Sequence, residues 1–119
     1  MLVVACGNGA EAAGGVVASA TPTLTLQAAQ GKSLFGRECA SCHSTAPDTI
    51  IVGPSLAGIA AQAGKRVPNQ DARAYLYTAV LQPGDHIVEG FQDAMPANFG
   101  KQLTGEEIDA IIAYLSTLE

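Results

Sequence analysis

The chain has 119 residues, 48% hydrophobic and 14% charged, which suits one small globular domain and excludes a charge-rich disordered chain. Six Lys and Arg against eleven Asp and Glu give a net charge of −5; nucleic acid is excluded as a partner, because a phosphate-binding surface needs clustered cations. No stretch reaches the roughly 18 to 20 apolar residues of a membrane-spanning helix.

In chain order, the first segment, Met1 to Gly7, resembles the end of a bacterial lipoprotein signal, with aliphatic and small residues before a cysteine. Residues 1–6 are read as a remnant of such a signal ending at a lipidated Cys6, the alternative being a free thiol. With three cysteines, two of them in one motif, Cys6 is left over from any simple disulfide framework. Residues 7–26 are mostly Gly, Ala, Val, Ser and Thr, with one charge at Glu11 and one proline at Pro22. They are read as a flexible tether with a root-mean-square span of about 25 Å; a chain end without a role has the same composition.

Residues 27–119 carry helical signals separated by turns, and no strand pattern, so the fold class is all-α. Gly31 and Phe35 are one turn apart on a first helix that runs into the cysteine pair. Gly53-Pro54-Ser55-Leu56 is expected to open a short helix to about Ala63, with Pro54 at its first position and Gly64 as cap. A longer helix is expected from about Gln70, with Ala72, Tyr75, Leu76, Ala79 and Val80 on one face and Pro83-Gly84 as its stop. The stretch from there to Lys101 reads as loop. In the last helix Thr104 and Glu107 form a capping box, Leu103 and Ile108 a hydrophobic staple, and Ile108, Ile111, Ile112, Leu115 and Leu118 an apolar stripe. The side-chain-free Gly31 would let the first and last helices cross closely near Phe35 and Tyr114.

The chemistry lies in Cys39-Ala40-Ser41-Cys42-His43. In a Cys-x-x-Cys-His run two thiols can add across the vinyl groups of one haem, while the adjacent imidazole reaches the iron. A zinc half-site competes poorly, because only His86 and the distant Cys6 remain as ligands. A thioredoxin-like redox pair expects a βαβ setting that a helical chain lacks. With no Trp and 5% aromatic residues, an all-protein core would be thin, and a buried macrocycle would supply the missing apolar surface.

Four features in order make the chain resemble a class I cytochrome c over nearly its whole domain: Gly31 with Phe35, Cys39 to His43, the Gly53-Pro54-Ser55-Leu56 loop, and Met95-Pro96 before a capped helix carrying Tyr114. Within that family it is most similar to cytochrome domains of respiratory complexes, including those fused to bacterial oxidase subunits, through Ala74-Tyr75-Leu76, Ile87-Val88-Glu89-Gly90 and Met95-Pro96. The resemblance implies crossing N- and C-terminal helices, with short helices and loops wrapping one covalent haem c and its iron. It implies Met95 as the second axial ligand opposite His43, with His86 as the alternative donor, and the Pro54 carbonyl on the imidazole proton that faces away from iron. Arg66, Arg73, Tyr75, Tyr77 and Asn98 are all candidates to bond the propionates or the methionine sulfur.

With both axial positions filled, the resemblance implies single-electron transfer at a high potential rather than gas binding or peroxidase chemistry. The expected protein is not an enzyme but an electron carrier, or the electron-transfer subunit of a larger oxidoreductase, with no small-molecule substrate. Its partners would be respiratory electron donor and acceptor complexes. It would sit on the extracytoplasmic, periplasmic face of a bacterial cytoplasmic membrane, held there by a lipid anchor at Cys6.

Overall fold

A computed structural model describes residues 23–119; Cys6, the expected signal remnant 1–6 and most of the expected tether 7–26 lie outside the described residues. The first helix, α1 (Leu26–Glu38), starts where Thr25 in an extended conformation accepts the Ala28 N–H on its hydroxyl at 3.0 Å. That cap satisfies one of the amides a helix start leaves open, and Leu24 before it already packs on the core. The expected boundary between residues 26 and 27 thus falls inside the first turn of α1. Its far end is Cys39, whose N–H closes the last turn on the Phe35 carbonyl, so the cysteine motif leaves directly from a helix end.

The last helix, α5 (Gly105–Leu115), has the expected capping box: Thr104 and Glu107 each accept the other's backbone N–H, at 3.1 and 2.9 Å. The flanking Leu103 and Ile108 are both buried, as a hydrophobic staple requires. Its stripe of Ile108, Ile111, Ile112 and Leu115 is buried, and Leu118 packs partly on the core. Helices α1 and α5 make the largest helix–helix contact among the described residues. They cross at Gly31, where an added Cβ would fall on the Ala110 carbonyl and stand 2.9 Å from Tyr114 Cβ. One turn on, the Phe35 and Tyr114 rings meet edge to face with centroids 5.5 Å apart, a geometry worth about 0.5–1.5 kcal/mol beyond the area it buries.

Between these helices the chain differs from expectation twice. The helix expected from Gly53 starts only as α2 (Ile59–Gln62), because Gly58 takes a left-handed φ of 72°, while the Gly53 and Leu56 amides bond to the Cys42 and Ser44 carbonyls and the Pro54 carbonyl to His43 instead. Gly64 then lies inside a 3₁₀ turn, Ala63–Lys65, rather than capping a helix. The stretch after Pro83, expected as loop to Lys101, contains a 3₁₀ turn at Pro83–Asp85 and a four-residue helix, α4 (Phe99–Gln102). A single buried aromatic, Phe99, pins α4; one anchor leaves no periodic pattern to read. The helix α3 (Ala72–Leu81) is as expected, capped by the Asp71 carboxylate on the Ala74 N–H at 2.8 Å and burying Tyr75, Leu76 and Val80. Among the described residues the only β pairing is one isolated bridge, His43 to Ile50, in keeping with an all-α fold.

Candidate haem site

From the end of α1 the chain turns tightly, with the Cys42 and His43 amides both donating to the Cys39 carbonyl at 3.1 and 2.9 Å. The segment then doubles back on itself. The Val52 and Gly53 amides donate to the Cys42 carbonyl at 3.2 and 2.8 Å, and the Leu56 amide donates to the Ser44 carbonyl at 2.8 Å. This lacing carries the Pro54 carbonyl to 2.8 Å from His43 Nδ1. A carbonyl can only accept, so Nδ1 is the donor, and in the neutral ring Nε2 keeps its lone pair. Pro54 therefore serves through its main-chain oxygen in a loop and not as the first residue of a helix.

Gly53 completes the support. A Cβ on it would stand 2.5 Å from Cε1, 2.9 Å from Nδ1 and 3.0 Å from Nε2 of His43, so the backbone lies flat on the imidazole. Sequence reasoning missed this role; the only signal was a glycine next to the proline of the loop that faces the motif.

His43 lines a cleft that also takes in Cys39, Cys42, Met95, Arg66 and Tyr75. Its inner wall is Ile59, Ile111 and Leu115, all buried, and the lining is mainly apolar. The centre of a water-sized sphere can range over about 210 Å³ of this space, against the roughly 10–15 Å³ that is enough for one water, which is room for a large organic group rather than a bare ion. Among the described residues no three His, Cys, Asp or Glu side chains converge as an ion site.

Of the five residues considered for polar contacts to the cofactor, Arg66 and Tyr75 line this cleft, joined by a bond of 3.2 Å from Arg66 Nη1 to the Tyr75 hydroxyl. Arg73 and Tyr77 lie elsewhere. Arg73 donates to the Tyr77 hydroxyl, and Tyr77 donates to Asp109, tying α3 to α5. Asn98 gives its carbonyl to the start of α4. His86, the alternative donor, is half-buried in the cleft with its ring edge-on to Tyr75 at 5.8 Å.

The cleft fits a haem by its own chemistry. Two free thiols, Cys39 and Cys42, stand at its wall, an imidazole offers a free lone pair, a thioether lies in the same space, and one guanidinium is available to carboxylates. Burial pushes the Cys39 thiol up to about 11, with Glu38 and Cys42 adding to the rise. It is therefore a thiol and not a thiolate near neutrality.

The family model for cytochrome c oxidase, cbb3-type, subunit III matches residues 26–115, from the first turn of α1 to the end of α5. A cytochrome c6 of Rippkaea orientalis (strain PCC 8801 / RF-1) is 33% identical over 94 residues, covering 79% of this chain and 73% of that protein. The family match spans both crossing helices and the residues that line the cleft: the chain belongs to the class I c-type cytochromes, with one covalent haem c, and is a mono-haem electron carrier.

Proposed function

We propose that Cys39 and Cys42 would hold the haem through thioether bonds, that His43 Nε2 and the Met95 sulfur would ligate its iron, and that the protein passes single electrons between respiratory complexes. The observation that carries this reading is the His43–Pro54 bond at 2.8 Å. It favours the tautomer that leaves Nε2 free to ligate iron and stiffens the ring, and hydrogen-bonded ligands of this kind are stronger bases. The haem supplies a one-electron iron couple, whose potential a Met/His pair raises. Ile59, Ile111 and Leu115 keep water from the inner face, and Met95 and His43 leave no position for a small-molecule substrate. Such a site changes charge without changing ligands, which is what a carrier needs and an oxygen- or peroxide-binding site lacks.

The run of aliphatic residues before Cys6 supports a lipid anchor on the periplasmic face of a bacterial cytoplasmic membrane, and the Gly/Ala/Thr segment after it supports a tethered reach toward donor and acceptor complexes. A role as a subunit held within a larger oxidoreductase fits the same features.

His86 supports a second ligand set, because it lines the same cleft. Absorption spectra of the ferric protein separate the two. Methionine ligation gives a weak long-wavelength sulfur-to-iron band that Met95→Ala abolishes, with a fall in potential. A band unaffected by that change, or immediate cyanide binding by the unaltered protein, would refute Met95 as ligand. The mass of the native protein reports the lipid at Cys6 and the haem in one measurement.

A further inference from the structure

We propose that the main-chain carbonyl of Leu118 is a positioning group for the electron-transfer site: it caps α2 from outside and so holds Ile59 in the inner wall of the cleft. The proposal deepens the electron-carrier reading and rests on it.

The helices α1, α3 and α5 each start on a side-chain cap, from Thr25, Asp71 and Thr104. The four-residue α2 starts on Gly58, which has no side chain to offer. Its amides need other acceptors, because the first turn of a helix leaves them open. Ile59 donates to the Leu56 carbonyl at 3.1 Å, and Ala61 and Gln62 donate to the Gly58 carbonyl at 3.1 and 3.3 Å. Only the Ala60 amide reaches outside this stretch, to the Leu118 carbonyl at 2.9 Å. So short a helix is not stable by itself in water, and this bond ties it to the segment that follows α5.

Leu118 is fixed in its turn. Its amide donates to the Leu115 carbonyl at 3.1 Å, while Thr117 closes on the Tyr114 carbonyl through its amide at 2.9 Å and its hydroxyl at 2.6 Å. The Leu118 side chain packs partly on the core. The acceptor therefore stands on an ordered shelf.

Ile59, next to Ala60, is 1% exposed and lines the cleft beside Leu115. Neither Ala60 nor Leu118 is part of the lining, so the carbonyl acts on the cofactor through Ile59. An apolar wall that stays closed keeps water out, and solvent access is one of the levers on a haem potential. Loosening the wall favours the more highly charged ferric form and lowers the potential.

The test compares holoproteins shortened to end at Leu118 and at Thr117. The first keeps an oxygen at residue 118 to accept the Ala60 proton, and the second removes it. In the chain ending at Thr117 the potential should fall, and the Ala60 amide of the reduced protein should exchange with deuterium about tenfold faster. The chain ending at Leu118 should match the unaltered protein in both measurements. In the full-length protein, Leu118→Asp drives the side chain off the core and should move both values in the same direction, whereas Leu118→Met keeps the contact and should move neither. Thr104→Ala weakens α5 at its other end without touching α2, and should leave the potential unchanged.

Equal potentials for the two shortened chains, or a fall in Thr104→Ala as large as that in the chain ending at Thr117, would overturn the proposal while leaving the carrier reading intact. If the chain ending at Thr117 takes up no haem, the full-length pair decides, and equal potentials for Leu118→Asp and Leu118→Met overturn the proposal. A full-length holoprotein without a reversible couple would instead defeat the carrier reading itself.

Discussion

Gly53 lies against the face of the His43 imidazole so closely that a methyl group there would stand 2.5 Å from Cε1. The ring cannot retreat without losing its 2.8 Å bond to the Pro54 carbonyl. Gly53→Ala should therefore tilt or displace the imidazole at a cost of about 1–3 kcal/mol, as overpacking of a tight site does. Expected in the holoprotein are a lowered denaturation midpoint together with a shifted potential; an unchanged pair of values would show that the loop yields freely.

Pro54→Ala separates backbone from side chain. The bond to His43 uses the main-chain oxygen, which alanine keeps, so the visible spectrum should be preserved, while the released φ restraint lowers stability by about 0.4–1 kcal/mol through the unfolded chain. Loss of the low-spin spectrum on this substitution would contradict the assignment of the carbonyl as the positioning group.

Two glycines of α1 should respond in opposite directions. At Gly31 an added methyl meets the Ala110 backbone, whereas at Gly36 nothing lies within 4 Å. Gly36→Ala should raise stability by up to ~1 kcal/mol from helix propensity alone. Gly31→Ala should lower it by about 3 kcal/mol, because a helix backbone cannot move aside as a side chain can. Denaturant titrations of the two holoproteins read the contrast directly.

Removing the Thr104 hydroxyl frees the Glu107 amide at the start of α5. Thr104→Ala should cost about 1 kcal/mol. Because the capped turn is remote from the cleft lining, the potential should not change, and a circular-dichroism melt with a redox titration checks both statements.

Tyr77 donates to Asp109 and receives a bond from Arg73. Burial, then the bond to Asp109, raises its pKa above the ordinary 10.0, with Arg73 opposing. The neutral phenol is therefore favoured by folding. Its stabilisation is fully present below pH 10 and is lost as the pH rises through the higher folded value, where the unfolded chain has already released the proton. Unfolding free energies measured from pH 8 upward should fall more steeply for the unaltered protein than for Tyr77→Phe, which loses the hydrogen bond at about 0.5–1.5 kcal/mol but carries no titrating group.

Features confined to neighbouring residues were legible in the chain. Cys39 to His43, the Thr104–Glu107 box and the stripe on α5 each depend on spacings within one or two turns, and the structure places the last two as expected. The crossing at Gly31 was legible as well, because a glycine facing an aromatic helix leaves few other packings. The helix expected from Gly53 to Ala63 was misplaced by about six residues for a reason no local pattern contains: those amides bond to Cys42 and Ser44, and Gly58 turns left-handed. The helix at Phe99 was missed because one buried ring holds it.

By itself the sequence determined the class of cofactor, the order of the elements and the acidic character of the surface, since these follow from covalent adjacency and composition. Tertiary structure alone decided that Arg66 and Tyr75, and not Arg73, Tyr77 or Asn98, reach the cleft. It also decided that Gly53 supports the imidazole and that Ile50 to Val52 remain outside the core. Each of these depends on which distant backbone segments meet. That is settled by the packing of α1 on α5 and by the lacing of residues 42–44 to 52–56, which place side chains far apart in sequence around one space.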